Sequence, residues 1–154
     1  MLCKEAEKQL TKKSNTITFI DARLVPMNPC HKEKTEEMKM LSNKIKQSDN
    51  IIIGMGVHCY SINDTLKILL DSCFEEAVGK FYAVVCAAGG ERSYLSTMQL
   101  SQICMNEWRM IQLPRIVYAT GKDFNKNTIT SADLLDRIEL FSKEFHLIGN
   151  KLLD

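Results

Sequence analysis

The sequence predicts an α/β domain built on a doubly wound, mostly parallel sheet. Three observations predict it. Two unbroken apolar runs, Ile51-Ile52-Ile53 and Phe81-Tyr82-Ala83-Val84-Val85-Cys86, read as strands buried on both faces, the type that parallel sheets contain. Segments with Leu, Ile and Met at helical spacing alternate with these runs. The resulting order is a helix, then strand and helix four times over, which is the pattern of repeated βαβ units.

Residues Leu2 to Lys13 read as the opening helix, with Leu2, Ala6 and Leu10 four apart among charges. Thr16-Ile17-Thr18-Phe19-Ile20-Asp21 is rich in β-formers and alternates, so a first strand is expected there. Pro26-Met27-Asn28-Pro29 breaks it into a loop. Lys34 to Gln47 is the second helix, with Met38, Leu41 and Ile45 on one face. The strand at Ile51 is stopped by Gly54-Met55-Gly56. Ser61 or Asn63 can cap a third helix that carries Leu66, Ile68, Leu69, Leu70 and Cys73. The strand within Lys80 to Ala88 ends on Gly89-Gly90, and Ser93 to Trp108 forms a fourth helix. Ile111 to Ala119 is a strand interrupted by Pro114, which cannot donate to a ladder. Gly121 to Asn125 is a loop, and Ser131 caps the last helix, from Ala132 to about His146. Folds of this pattern normally open with a strand; this chain opens with a helix.

The 154 residues suit a single domain, 1–154, and 45% hydrophobic residues can fill a core. Twenty basic residues nearly balance nineteen acidic ones, a net charge of +1, so no field draws in nucleic acid or an anionic membrane. The lysines at 4, 8, 12 and 13 read as the solvated face of the first helix. No apolar stretch reaches the roughly 18 to 20 residues of a membrane span. Charge arrives too early after Met1 for a secretory signal. The six cysteines form no C-x-x-C pair, and they read as reduced thiols of a cytoplasmic protein. His31, His58 and His146 are scattered, so no metal site is expected.

In open α/β sheets ligands bind beyond the carboxyl ends of the strands. Two loops take that place here: Gly54 to Asp64, and Ala87-Ala88-Gly89-Gly90-Glu91-Arg92-Ser93-Tyr94. Ser61-Ile62, then Leu66-Lys67 with Asp71 four residues on, then the Ala88-Gly89-Gly90 turn, then Leu113-Pro114-Arg115-Ile116-Val117-Tyr118 with Gly121-Lys122-Asp123-Phe124, together resemble the flavodoxin-like NAD(P)H-dependent FMN reductase family. The resemblance covers essentially the whole chain. It implies FMN held by Gly56, Val57, His58, Cys59, Ser61, Ala88, Gly89, Gly90 and Glu91, with no catalytic side chain and no metal.

What the resemblance implies is reduction of FMN, a quinone or another small electrophile by NADPH or NADH, through bound flavin. Backbone amides around Ala88 to Glu91 would serve the pyrimidine edge of the ring. Arg92 could attract a nucleotide phosphate, although a loop arginine is more often simply solvated. Lys67 and Asp71 suit a helix surface pair. The family also implies a homo-oligomer formed through the helices Thr65 to Glu76 and Ser93 to Trp108, which carry apolar residues beyond one buried face.

Two departures shape the expectations. Gly56-Val57-His58-Cys59 stands where the family has Pro-x-Tyr-Asn, and Cys59 is a poor substitute for an amide. The family's opening strand and its Gly-Ser-x-Arg-x-x-Ser phosphate loop have no counterpart in these residues. The expectation is therefore a flavodoxin-like sheet with its first central strand missing. Four parallel strands should start near Thr16, Ile51, Phe81 and Ile111, in a domain truncated relative to the family. FMN should bind weakly or not at all. The alternative is a flavin-less or truncated family member that acts as an interaction or regulatory protein.

Overall fold

A computed structural model describes residues 1–153. Helix α1 (Leu2–Thr11) leads into an irregular stretch with one short turn at Ala22–Leu24, then α2 (Glu36–Gln47) and strand β1 (Asn50–His58). A two-residue turn joins β1 to β2 (Ser61–Ile62), and α3 (Asp64–Cys73), β3 (Phe81–Ala88) and α4 (Thr97–Trp108) follow. The last part comprises β4 (Ile111–Gln112), β5 (Val117–Thr120), the small hairpin β6 (Phe124–Asn125) and β7 (Thr128–Ile129), and α5 (Ala132–Lys151).

Helices α2, α3 and α5 start where a side chain accepts from a free amide of the first turn. Thr35 accepts from the Met38 N–H, Asn63 from Leu66 and Ser131 from Leu134. Of the two caps open for α3, the chain uses Asn63. The carboxyl end of α2 is closed by Lys80, whose Nζ donates to the Lys46 carbonyl at 3.1 Å. Before β3 the chain turns at Gly79, whose φ of +74 disfavours any residue with a Cβ.

The main sheet runs β2-β1-β3-β4, with β5 also on β3. β1 pairs parallel with β3 from Asn50↔Phe81 to Gly56↔Ala87. β4 and β5 occupy one strand position in two pieces, at Phe81↔Ile111 and from Val85↔Val117 to Ala88↔Thr120. Pro114 lies in the break, as the sequence predicts.

Alternation along β3 splits the core in two. Tyr82, Val84 and Cys86 face α2, α3 and α4, where Met38, Leu41, Leu70, Leu100 and Trp108 are buried. Phe81, Ala83 and Val85 face α1 and α5, against Leu2, Ala6, Leu10, Ile138 and Phe141. α1 presses so closely on β1 that a Cβ on Gly54 would stand 2.4 Å from Cys3 Sγ.

The expected strand at Thr16–Asp21 does not form. Ile17 and Ile20 are only partly buried, against opposite halves of the core. Among the described residues no strand lies alongside this segment to hydrogen-bond with it, and an unpaired β-prone run stays irregular. Three parallel strand positions are present rather than the expected four. α1 and α2 each start or stop within two residues of expectation, and α5 continues past His146 to Lys151. The fourth helix begins as a 3₁₀ turn at Glu91–Ser96 before becoming α4.

Candidate functional site

The carboxyl ends of β1, β3 and β5 open on one side of the sheet, where a cleft of about 510 Å³ lies between their loops. Tyr60, Gly89, Gly90, Glu91, Arg92, Ser93, Thr120 and Lys122 line it.

The loop after β3 supplies its floor. Gly90 is in extended conformation, and a Cβ built on Gly89 or Gly90 meets nothing within 4 Å. Local packing does not demand glycine at either position; its effect is to leave room for close approach to the backbone. The Tyr118 hydroxyl donates to the Gly90 carbonyl at 2.6 Å and holds this loop to β5. Tyr94 packs edge-on against the Tyr118 ring at 5.3 Å. Desolvation is the main cause that raises the Tyr118 pKa, so the phenol stays a donor.

The loop after β5 forms a wall. Asp123 accepts from the Thr120 N–H at 2.7 Å and from its hydroxyl at 3.1 Å. The backbone hydrogen bond from Thr120 is the leading cause that holds the Asp123 carboxyl below the usual range. Lys122 pairs with Glu91, tying the two loops together across the cleft. That hydrogen bond raises the Lys122 pKa.

The hairpin of β1 and β2 forms the third side. Its turn places Cys59 at φ 47 and Tyr60 at φ 60, two left-handed residues in succession, as the tightest hairpin turns require. Neither is Gly or Asn, so the turn is strained, and strain of this kind gathers at functional sites.

The structure gathers only part of the sequence-derived set in the cleft. Gly89, Gly90 and Glu91 line it, and Ala88 ends β3 opposite Thr120 just below. Gly56 accepts from the Asn63 amide at 3.2 Å, and Val57 and His58 pair with Ile62 and Ser61 in the hairpin. Ser61 donates to Gln99 of α4 at 2.6 Å, and Cys59 is exposed in the turn. From this hairpin only Tyr60 is among the lining residues. Tyr60, Thr120 and Lys122 went unselected in the sequence. Thr120 ends β5 and Lys122 follows it, so the rule that singled out the loops after β1 and β3 reaches them as well. Lys67 and Asp71 do form the expected pair on α3. Among the described residues no group of three His, Cys, Asp or Glu is placed to hold a metal. No helix there is long and apolar enough to cross a membrane.

A mostly parallel sheet between helices, with a cleft at the strand carboxyl ends, has the architecture of a flavodoxin-like domain. Solved structures with this architecture include an oxidoreductase from Corynebacterium diphtheriae, with a TM-score of 0.77 at 16% identity over 97% of this chain and 85% of that one. An NADH:FMN oxidoreductase in its apo form has a TM-score of 0.71 at 14% identity, covering 95% and 79%. An FMN-dependent NADH-azoreductase from Bacillus anthracis, solved with FMN, has a TM-score of 0.59 at 18% identity, covering 99% and 90%. No curated protein sequence matches the chain. The family model described as NADPH-dependent FMN reductase matches residues 1–125, and the chain belongs to that family.

Proposed function

We propose that the protein is an NAD(P)H-dependent flavin or quinone reductase that takes the ring of FMN over Gly89 and Gly90. One observation carries this reading. In a member of the FMN reductase family, the cleft at the strand ends has open space where two Cβ atoms would otherwise stand. A planar ring can lie against such a backbone, and the donors nearest its edge are the amides at the start of the uncapped turn Glu91–Ser96.

Bound there, FMN would supply the two-electron chemistry, accepting hydride from a nicotinamide and passing electrons to a small-molecule acceptor. The chain's own part is positional. Tyr118 fixes the Gly90 carbonyl, Asp123 fixes the Thr120 wall, and Tyr60 flanks the opening. For an anionic phosphate the cations in the lining are Arg92 and Lys122, the second already paired with Glu91. Charge-assisted bonds to an anion are among the strongest a site makes. The 154-residue chain is therefore expected to hold FMN weakly. Titration by fluorescence quenching should give a dissociation constant above about 1 μM, weaker than roughly −8 kcal/mol. Submicromolar binding would overturn this expectation. Flavin-dependent NADPH or NADH oxidation with a quinone acceptor tests the activity. Complete failure of riboflavin, FMN and both nucleotides to bind would favour a flavin-less interaction protein instead.

The same reading extends to a homo-oligomer and a cytoplasmic location. Leu95, Met98 and Met105 are 73%, 60% and 55% exposed along the fourth helix, with Tyr94 beside them, more apolar surface than a solvated helix needs. α3 has no large hydrophobic residue exposed, so the contact centres on α4 alone. Sedimentation at micromolar concentration should show a dimer or larger; monomer alone refutes it.

A further inference from the structure

We infer that Arg92 and Lys122 form an exchangeable phosphate subsite at the cleft, in which Glu91 is the resident anion until a phosphoryl group displaces it. The inference rests on the reading of the cleft as a nucleotide- and flavin-binding site, and adds to it how an anionic ligand is recognised.

The argument starts from the charges. Three charged side chains line the cleft: Glu91 and Arg92 on the loop after β3, Lys122 on the loop after β5. Asp123 is next in sequence, but its carboxylate is turned into its own loop, bonded to Thr120. Arg92 has no ion-pair partner among the described residues, while Lys122 is held by Glu91. The cleft therefore carries an excess positive charge, and the neutralised part of it is bound by one exposed carboxylate.

That pair is easily exchanged. Its side chains are 72% and 71% exposed, so water and salt screen it. A phosphoryl group brings more charge than a carboxylate and three acceptor oxygens, and Arg offers a planar fork that binds two of them at once. A phosphate arriving beside Arg92 therefore competes for Lys122, and Glu91 rotates into solvent. The pair is also a bridge between two loops, so exchange replaces a loop-to-loop contact with a ligand-to-loop contact without leaving Lys122 unpaired. Glu91 thus weakens phosphate binding while keeping the empty cleft from presenting two bare cations.

Pyrophosphate, FMN against riboflavin, and NADPH against NADH test this, with wild type, Glu91→Gln, Arg92→Gln and Lys122→Gln. Pyrophosphate followed by amide NMR should shift Gly90, Glu91, Arg92 and Lys122. Glu91→Gln should tighten it about two- to fivefold, the scale of an exposed ion pair, and either cation variant should weaken it at least as much. The preference should fade with added salt. A Glu91→Gln gain seen only for NADPH over NADH assigns the subsite to the nucleotide; one seen only for FMN over riboflavin assigns it to the flavin phosphate. Absence of shifts with pyrophosphate in wild type and in Glu91→Gln, or equal affinities of all variants for phosphorylated and unphosphorylated ligands, overturns the inference. Failure of riboflavin and NADH to bind, with pyrophosphate shifts intact, overturns the flavin reading and leaves the subsite standing.

Discussion

Tyr118→Phe isolates a single bond that holds the floor of the cleft. The phenol oxygen lies 2.6 Å from the Gly90 carbonyl, and removing it leaves the ring and its edge contact with Tyr94 in place. A hydrogen bond of this kind is worth about 0.5–1.5 kcal/mol net. Gly90 is exposed, so water can take over its carbonyl, and the low half of that range, about 0.5–1 kcal/mol, is expected. For a domain of this size that lowers Tm by about 1–4 °C. The local effect should be clearer than the global one, because the bond links the loop after β3 to β5 and, among the described residues, no other hydrogen bond reaches the Gly90 carbonyl from elsewhere in the fold. Amide exchange at Gly89 to Arg92 should accelerate about two- to fivefold while β3 itself stays protected. Tyr118→Ala removes the Tyr94 contact as well, worth about 0.5–1.5 kcal/mol, together with half-buried ring surface, and should cost about 2 kcal/mol. Equal exchange at Gly89 to Arg92 in wild type and Tyr118→Phe would refute the idea that this hydroxyl sets the loop.

Other outcomes follow from the core and its titrating groups. Phe141→Ala should cost about 3–5 kcal/mol in urea unfolding, since the ring is fully buried between α5 and the sheet; a loss under about 1 kcal/mol would mean α5 is not packed as described. Cys30 and Cys59 are exposed and should alkylate first at pH 8, with Cys73, Cys86 and Cys104 silent until unfolding; native-state labelling of Cys86 as fast as Cys59 would contradict the burial. Burial pushes Cys86 and Cys104 up to about 11, above the unfolded thiol, so their stabilising contribution is complete below about pH 8.5 and is lost as pH rises toward 11. Asp123 behaves oppositely. Its folded pKa is depressed, so its contribution is present above about pH 4 and is lost as pH falls through the folded value; the Tm gap between wild type and Asp123→Asn should close over that acid window.

How far the sequence reaches depends on whether a feature is decided locally. β3 is legible because residues buried on both faces must be apolar at every position, and Phe81 to Cys86 are. β1 is legible only as an apolar run, since Ile51 and Ile52 are half-buried rather than buried on both faces. The strand also runs on through Gly54 and Gly56, the glycines expected to stop it, to His58. Asn63 and Ser131 are legible because capping acts within one turn. Thr16–Asp21 has the composition of a strand, yet strand formation is settled by a neighbour that supplies the ladder, and composition cannot report whether one is there. The hairpin β1–β2 turns on Cys59-Tyr60, a pair without the Asn-Gly signature, so nothing local announces it.

The same distinction runs through the cleft. Gly89 and Gly90 could be placed at the candidate cleft because the apolar run Phe81 to Cys86 marks a strand and ligands sit beyond strand ends. Lys122 follows the carboxyl end of a strand too, but its meaning comes from Glu91, thirty-one residues away and paired with it across the cleft. Charge content could never show this, since a net charge of +1 over the whole chain says nothing of a cation held by one carboxylate beside another cation left free. The proposed phosphate subsite depends on which charges the topology brings together, and the sheet brings these together because β3 and β5 are parallel neighbours whose loops leave from the same edge.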